Sequence, residues 1–288
     1  MLIRSKLFVP GSRPELFEKA AASAADAVSF DLEDAVAPMR KEEARASVTA
    51  FLRARSANLG KVAIVRVNAL STFWFAHDID ALVGPGLDIL NLPKVESASD
   101  VRTAIEAIAR AEDACGLDRR IPILANIETP RGLRLAAEIA TADPRVIGLQ
   151  IGFADLLLPL GIDRSHANAL QSIRLSVRLA AGEAGIPAYD AAFPDIRNPE
   201  LCRAEAEAAR RLGFAGKSCI HPSQIAIANE VFAPRADEKE HARKVLAAAH
   251  DAAEQGVQAF VVDGQLIDAP MIENARAVAA AAREPNAL

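Results

Sequence analysis

Short runs of apolar and β-branched residues alternate along this chain with longer Ala/Arg/Glu-rich stretches. The runs are too short for helices and too apolar for half-exposed strands. They read as strands buried on both faces, and the stretches between them as the helices of repeated βα units. The predicted strands are 5–10 (SKLFVP), 27–33 (AVSFDLE), 62–68 (VAIVRVN), 88–94 (DILNLPK), 121–128 (IPILANIE), 146–152 (VIGLQIG), 187–191 (PAYDA) and 214–220 (FAGKSCI). Helices fall between them, for example over 97–115 and 165–184. No run is polar enough to lie at an open sheet edge, which predicts an α/β fold, a closed (β/α)8 TIM barrel. The tail departs from this rhythm. A helix over 237–255 precedes AFVVDGQLIDAP (259–270), where Asp263-Gly264 between apolar runs signals a tight hairpin, and a helix over 270–283 follows. The expected organisation is a barrel over 1–235 with an extension over 236–288, one domain overall. An exposed apolar hairpin is a liability, so the extension should pack on its own barrel or on a neighbouring subunit.

Composition narrows the function classes. With 288 residues, 51% of them hydrophobic, the chain can build a large core. A net charge of −5 with scattered basic residues lacks the electrostatic footprint of a nucleic-acid binder. No apolar run reaches the roughly 18 residues of a membrane span, and the N-terminus lacks a signal-peptide pattern, so the expectation is a soluble cytoplasmic protein. Three cysteines without CxxC spacing predict neither a disulfide framework nor a zinc site.

Chemistry in a parallel barrel gathers at the C-terminal ends of the strands. Reading those positions gives Asp31-Leu32-Glu33-Asp34, Arg66 with Asn68, Lys94 with Glu96, Glu128, Gly152 with Asp155, Asp190, and Lys217 before His221. Glu128 and Asp155 follow consecutive strands, which lie about 4.8 Å apart, so their carboxylates can converge on one ion. Oxygen ligands without His or Cys favour Mg2+. The alternative is that Glu128 pairs with Arg131 or Arg66. Arg66 can take a ligand carboxylate bidentately, or bridge to the 31–34 acids, or both. Gly152-Phe153-Ala154-Asp155 offers a turn whose N–H groups can face an anion. Gly213–Ser218 is not a phosphate loop, because Arg211 stands where that motif needs glycine and no helix follows the Lys-Ser. His221 reads equally as a base and as a capping residue, while Leu92 and Ile127 are candidates to line a pocket.

Taken in order, RSKLFVPGSRP (4–14), FDLEDAV (30–36), RVN (66–68), LPKVE (92–96), IETPRG (127–132), GFADL (152–156), GFAGKSCIHPSQI (213–225) and DGQLIDAP (263–270) resemble the citrate lyase β-subunit-like family, which includes malyl-CoA and citramalyl-CoA lyases. The resemblance implies a trimer of (β/α)8 barrels that uses Mg2+ to cleave or form a carbon–carbon bond in a 3-hydroxy-3-carboxy acyl-CoA. The products are acetyl-CoA and a 2-oxo acid, pyruvate or glyoxylate. It places the metal on Glu128 and Asp155, and substrate contacts on Arg66, Glu128, Asp155, Gly152, Phe153 and Ala154. Arg66 becomes a catalytic residue, and Asp268 an acid/base acting in the adjacent subunit's site. Phe8, Arg13, Tyr189 and Asp190 match segments that contact CoA. The rival readings are the β subunit of a citrate lyase complex with carrier-bound substrate, a metal-dependent 2-oxo acid aldolase, and a non-catalytic CoA-ester-binding protein.

Overall fold

Eight parallel strands close into a barrel in simple sequence order, as the alternation of runs predicts. The computed structural model describes residues 3–55 and 60–282. The strands are β1 Ser5–Pro10, β2 Ala27–Asp31, β3 Val62–Arg66, β4 Ile89–Leu92, β5 Ile123–Ile127, β6 Val146–Ile151, β7 Ala188–Asp190 and β8 Gly216–Cys219. The barrel shuts where β8 pairs with β1, through Ser5↔Lys217, Lys6↔Ser218 and Leu7↔Cys219. Several strands end a residue or two before the predicted limit, because their polar ends leave the ladder. At β2 the cause is local. The Asp31 carboxylate accepts from the N–H groups of Glu33 (2.9 Å) and Ala35 (3.2 Å), curling the chain into a turn.

Alternation sorts each strand into two faces. Leu7, Val28, Phe30, Val65, Leu90 and Ala125 join the helices in the main core. Ala27, Ile64, Ile89, Leu124 and Tyr189 form a second core inside the barrel. Leu92 and Ile127 belong to the first set, between sheet and helices, and so do not line a pocket at the mouth. The alternation that points Glu128 inward points Ile127 outward.

The chain divides into two compact units, with Ile3–Phe232 as the barrel and a second beginning at Ala233. The expected boundary at 235/236 therefore moves slightly, and the extension is a unit of its own. It comprises helix Ala236–Glu254, antiparallel strands β9 Phe260–Val262 and β10 Gln265–Ile267, and helix Ala269–Ala282. The hairpin turn needs positive φ at both central residues, and Asp263 (+49°) and Gly264 (+80°) supply it. Val245, Val262, Ile267 and Ala275 form its small core. Among the described residues no helix is long and apolar enough to cross a membrane.

Candidate active site at the barrel mouth

Glu128 is the first residue beyond β5, and what stops the strand also places its carboxylate. Pro130 has no N–H for the ladder and sits in the first turn of the helix Pro130–Arg134. Thr129 Oγ1 caps that helix, accepting from Gly132 N–H at 3.0 Å. Glu128 is thereby held 2% exposed. Its Oε1 accepts from the backbone N–H of Lys94 (2.7 Å) and its Oε2 from Asn126 Nδ2 (3.2 Å). No direct ion pair to Arg66 or Arg131 is seen for it. Lys94 adopts φ +50°, a left-handed conformation that a lysine holds only where its surroundings impose it. Here that conformation accompanies an N–H aimed at Glu128. Gly152 meets the same carboxylate from the other side. A Cβ there would stand 2.2 Å from Glu128 Oε2, so only glycine leaves room.

Around Glu128 lies a cavity of about 480 Å3 whose lining includes Phe8, Asp31, Arg66, Glu128, Phe153 and Asp155. Arg66 donates to both Asp31 oxygens, from Nε (2.8 Å) and Nη2 (2.6 Å), and its Nη1 lies 2.8 Å from Glu33 Oε2. The bridge to the 31–34 acids foreseen for Arg66 is present, and it fixes the guanidinium across the mouth. Lys94 Nζ reaches Glu33 (2.7 Å), Asp34 (3.2 Å) and, more loosely, Asp155 (3.8 Å). From behind, the buried Lys41 Nζ donates to the carbonyls of Leu32 (2.8 Å) and Glu33 (2.9 Å). Lys41 and Lys94 are absent from the expected site set. The only sequence signal for either was a cation two residues past β4, in LPKVE.

Four carboxylates (Asp31, Asp34, Glu128 and Asp155) thus line the cavity with one cation, Arg66, while Glu33 and Lys94 pair beside it. Burial pushes the Glu128 carboxyl up to about 7, with Asp155 adding to the rise while Arg66 and the Lys94 N–H oppose it. Burial likewise pushes Glu33 up to about 7 against the pull of Arg66 and Lys94. An excess of carboxylates over cations in the cavity lining suits a divalent cation, whose charge would favour the ionised form of Glu128. The donors nearest it are all oxygen, as Mg2+ requires. Among the described residues no group of three or more His, Cys, Asp or Glu side chains could hold a metal. Water and substrate would complete the shell of an ion on Glu128 and Asp155, the usual Mg2+ arrangement.

These shifts have a consequence for stability. Both folded-state values lie above the ordinary 4.5, so between about 4.5 and 7 the metal-free folded chain binds more protons than the unfolded one. The stability they contribute is complete below about pH 4.5 and lost as pH rises through 7. The melting temperature of EDTA-treated protein is therefore expected to fall between pH 5 and 8, and Glu33→Gln to flatten that fall. An unchanged slope in the variant would count against the assignment.

The remaining expected residues divide. Phe8 lines the cavity and a second one of about 730 Å3 beside it, flanked by Leu16, Lys19, Ala20, His221 and Ile225. Arg13 is exposed and ion-paired with Glu15, outside both linings. Tyr189 points into the lower barrel core and Asp190 is fully buried, so neither presents a polar atom to a ligand at the mouth. Both are set aside as CoA contacts. Asp190 instead accepts from Arg174 Nε (2.8 Å) and Lys217 Nζ (2.7 Å). Glu205 bonds the same lysine (2.8 Å) and Arg164 (2.9 Å). The guanidinium carbons of Arg164 and Arg174 stand 4.7 and 5.1 Å from the Phe153 ring centre, bracing the segment that carries Asp155. Gly152 donates its N–H to the Ile127 carbonyl, so its contribution is space rather than an anion contact. Ala154 is exposed at the cavity edge. His221 Nδ1 accepts from Ser223 N–H (3.2 Å), the capping arrangement. Asp268 lies exposed in the second unit, where its carbonyl accepts from Met271 and Ile272 at the start of the last helix.

Comparison with known proteins bears on this geometry. A family model described as HpcH/HpaI aldolase/citrate lyase matches residues 4–222. The chain belongs to this family. It is 39% identical to citrate lyase subunit beta of Escherichia coli over 277 residues, covering 96% of this chain and 91% of that one. It is 35% identical to an L-malyl-CoA/beta-methylmalyl-CoA lyase of Cereibacter sphaeroides, covering 96% and 93%. A crystal structure of CitE from Mycobacterium tuberculosis, in complex with magnesium, acetoacetate and coenzyme A, superposes with a TM-score of 0.76 at 36% identity. That match covers 98% of this chain and 99% of the other.

Proposed function

We propose that this family member is a Mg2+-dependent carbon–carbon lyase. It cleaves a 3-hydroxy-3-carboxy acyl-CoA, such as citramalyl-CoA or malyl-CoA, into acetyl-CoA and a 2-oxo acid, or runs the reverse condensation. The observation that carries this is the convergence of Glu128, Asp155 and Arg66 on one cavity whose carboxylates outnumber its cations. The lyases among the relatives, and the magnesium and coenzyme A held by the CitE structure, support the same reading.

Glu128 and Asp155 would hold the ion. When bound, Mg2+ supplies Lewis-acid polarisation of the substrate hydroxyl and adjacent carboxylate, easing loss of the hydroxyl proton. Asp31 holds Arg66 through Nε and Nη2, which leaves the fixed Nη1 edge to donate to the thioester oxygen in place of Glu33, where enolate charge develops as the bond breaks. Phe8 lies 5.4 Å beneath the Arg66 guanidinium and lines both cavities, a natural path for the acyl-CoA arm. The cavity acids are committed to Arg66, Lys94 or the metal. The proton for the enolate carbon would come from Asp268 of an adjacent subunit in a homotrimer, the role that the family resemblance gives this residue.

The test is turnover of malyl-CoA, citramalyl-CoA and citryl-CoA with Mg2+ and with EDTA. Cleavage that EDTA abolishes and Mg2+ restores is the expected result, whereas full activity in metal-free protein would remove the metal role. The similarity to citrate lyase subunit beta favours a second reading, a subunit whose substrate rides on a carrier protein. Citryl thioester turned over only on a carrier would select it.

A further inference from the structure

Barrels of this type fill their interior with layers of mostly branched aliphatic side chains. Low in this barrel the inner core conforms, with Ala27, Ile64, Ile89 and Leu124. One step nearer the mouth, β4 and β5 turn polar. Asn91 (0% exposed) and Asn126 (1% exposed) follow Ile89 and Leu124 on the inward face, and together they form a chain that ends on Glu128. Register sets Asn91 beside Leu124, and Asn126 beside Gln150 of β6.

The direction of this chain is fixed at its far end. Asn91 Nδ2 donates to the Leu124 carbonyl at 2.9 Å. A carbonyl can only accept, so the Asn91 amide cannot turn over without setting oxygen against oxygen. The same Nδ2 donates to Asn126 Oδ1 (2.7 Å). With its oxygen held there, Asn126 presents Nδ2 to Glu128 Oε2 (3.2 Å), while the Lys94 N–H holds Oε1 (2.7 Å). Each Glu128 oxygen thus accepts one N–H, which fixes the carboxylate and leaves roughly half of its lone-pair positions for a cation. Donation from Asn91 also polarises the Asn126 amide and strengthens the bond that it makes to Glu128.

Asn91 is an expensive residue for its place. Its Oδ1 is buried without a hydrogen-bond partner in the protein, a penalty that an apolar side chain would not carry. It lies outside the cavity lining, so a ligand at the mouth does not account for it. Its use lies on the N–H side, which is committed to Leu124 and Asn126.

We infer that Asn91 and Asn126 are positioning residues for the metal ligand Glu128, with Asn91 acting only through Asn126. The inference rests on the metal reading of Glu128 and adds what orients it. Calorimetry with Mg2+ alone tests it in a double-mutant cycle. Asn126→Leu, close in volume and unable to donate, is expected to weaken Mg2+ binding by about 10- to 100-fold, as loss of a partner behind a metal ligand does. Asn91→Leu, remote from Glu128, is expected to weaken it by about threefold or more. The double variant should bind no more weakly than Asn126→Leu, because Asn91 has no other route to the ion. Should a leucine variant not fold, Asn91→Ala and Asn126→Ala form the same cycle.

Wild-type affinity in the Asn91 variant, or losses that multiply in the double variant, would overturn the inference. A lowered melting temperature with unchanged Mg2+ affinity would overturn it as well, leaving the pair as packing residues. A wild-type chain that binds no Mg2+ removes the metal reading and the inference with it, an outcome distinct from a wild type that binds while its variants bind equally. The readout is metal affinity, so the result does not depend on which acyl-CoA is cleaved.

Discussion

Glu128→Gln is expected to lower kcat by about 1000-fold while raising the melting temperature of the metal-free protein. The two effects have one origin. Glutamine keeps the shape of the side chain and an oxygen for the Lys94 N–H, so the end of β5 is held as before. What it removes is a negative charge at a site 2% exposed, where burial already pushes the carboxyl up to about 7. Without the ion that charge is a burden on the fold, and with the ion it is a ligand. Losing one of two protein ligands forfeits several kcal/mol of charge stabilisation, and each 1.36 kcal/mol is tenfold in rate. Steady-state kinetics and thermal melts with and without EDTA measure both. A variant that is slow and also less stable without metal would identify Glu128 as a structural carboxylate. A variant of undiminished kcat would take it out of the metal site.

The elements of the barrel were legible because most strands, buried on both faces, are short and largely apolar runs, and the hairpin because Asp263-Gly264 names its own turn. The polar ends of those runs led to Glu128, Arg66 and Asp155. What escaped depends on relations between strands. Nothing in LPKVE shows that Lys94 takes positive φ to present its N–H to a glutamate on the next strand. Serine, asparagine and glutamine within apolar runs look like ordinary strand residues until the register stacks Lys6 beside Ser218 and Asn126 beside Gln150. Ile127 could have been excluded from the start, since Glu128 beside it must face the lumen. Tyr189 and Asp190 could not, because β7 spans only Ala188–Asp190 and both of its faces are buried. There the three-dimensional count of charges decides the role.

That count makes Asp190→Asn the second large effect, and one of stability rather than of CoA affinity. Asp190 is fully buried between Lys217 and Arg174, with Glu205 shared between Lys217 and Arg164. Burial alone would raise the Asp190 carboxyl, but Lys217 and Arg174 outweigh it and hold it below its ordinary value. Replacing its charge leaves the buried ammonium of Lys217 and the guanidinium of Arg174 with only Glu205 between them. Breaking a buried pair in this way costs about 3–5 kcal/mol. At about 2–4 °C per kcal/mol, the expected drop in melting temperature is on the order of 10 °C. The sign with pH follows from the depressed carboxyl. The stability it contributes is present above its unfolded value and lost as pH falls through the folded one, so the wild type should approach the variant in acid. The guanidinium groups of Arg164 and Arg174 flank Phe153, so the loss also loosens the segment bearing Asp155 and weakens Mg2+ binding measured by calorimetry. A variant with wild-type stability and a raised KM for the CoA ester would return Asp190 to the ligand surface and refute the reading of this cluster as a buttress.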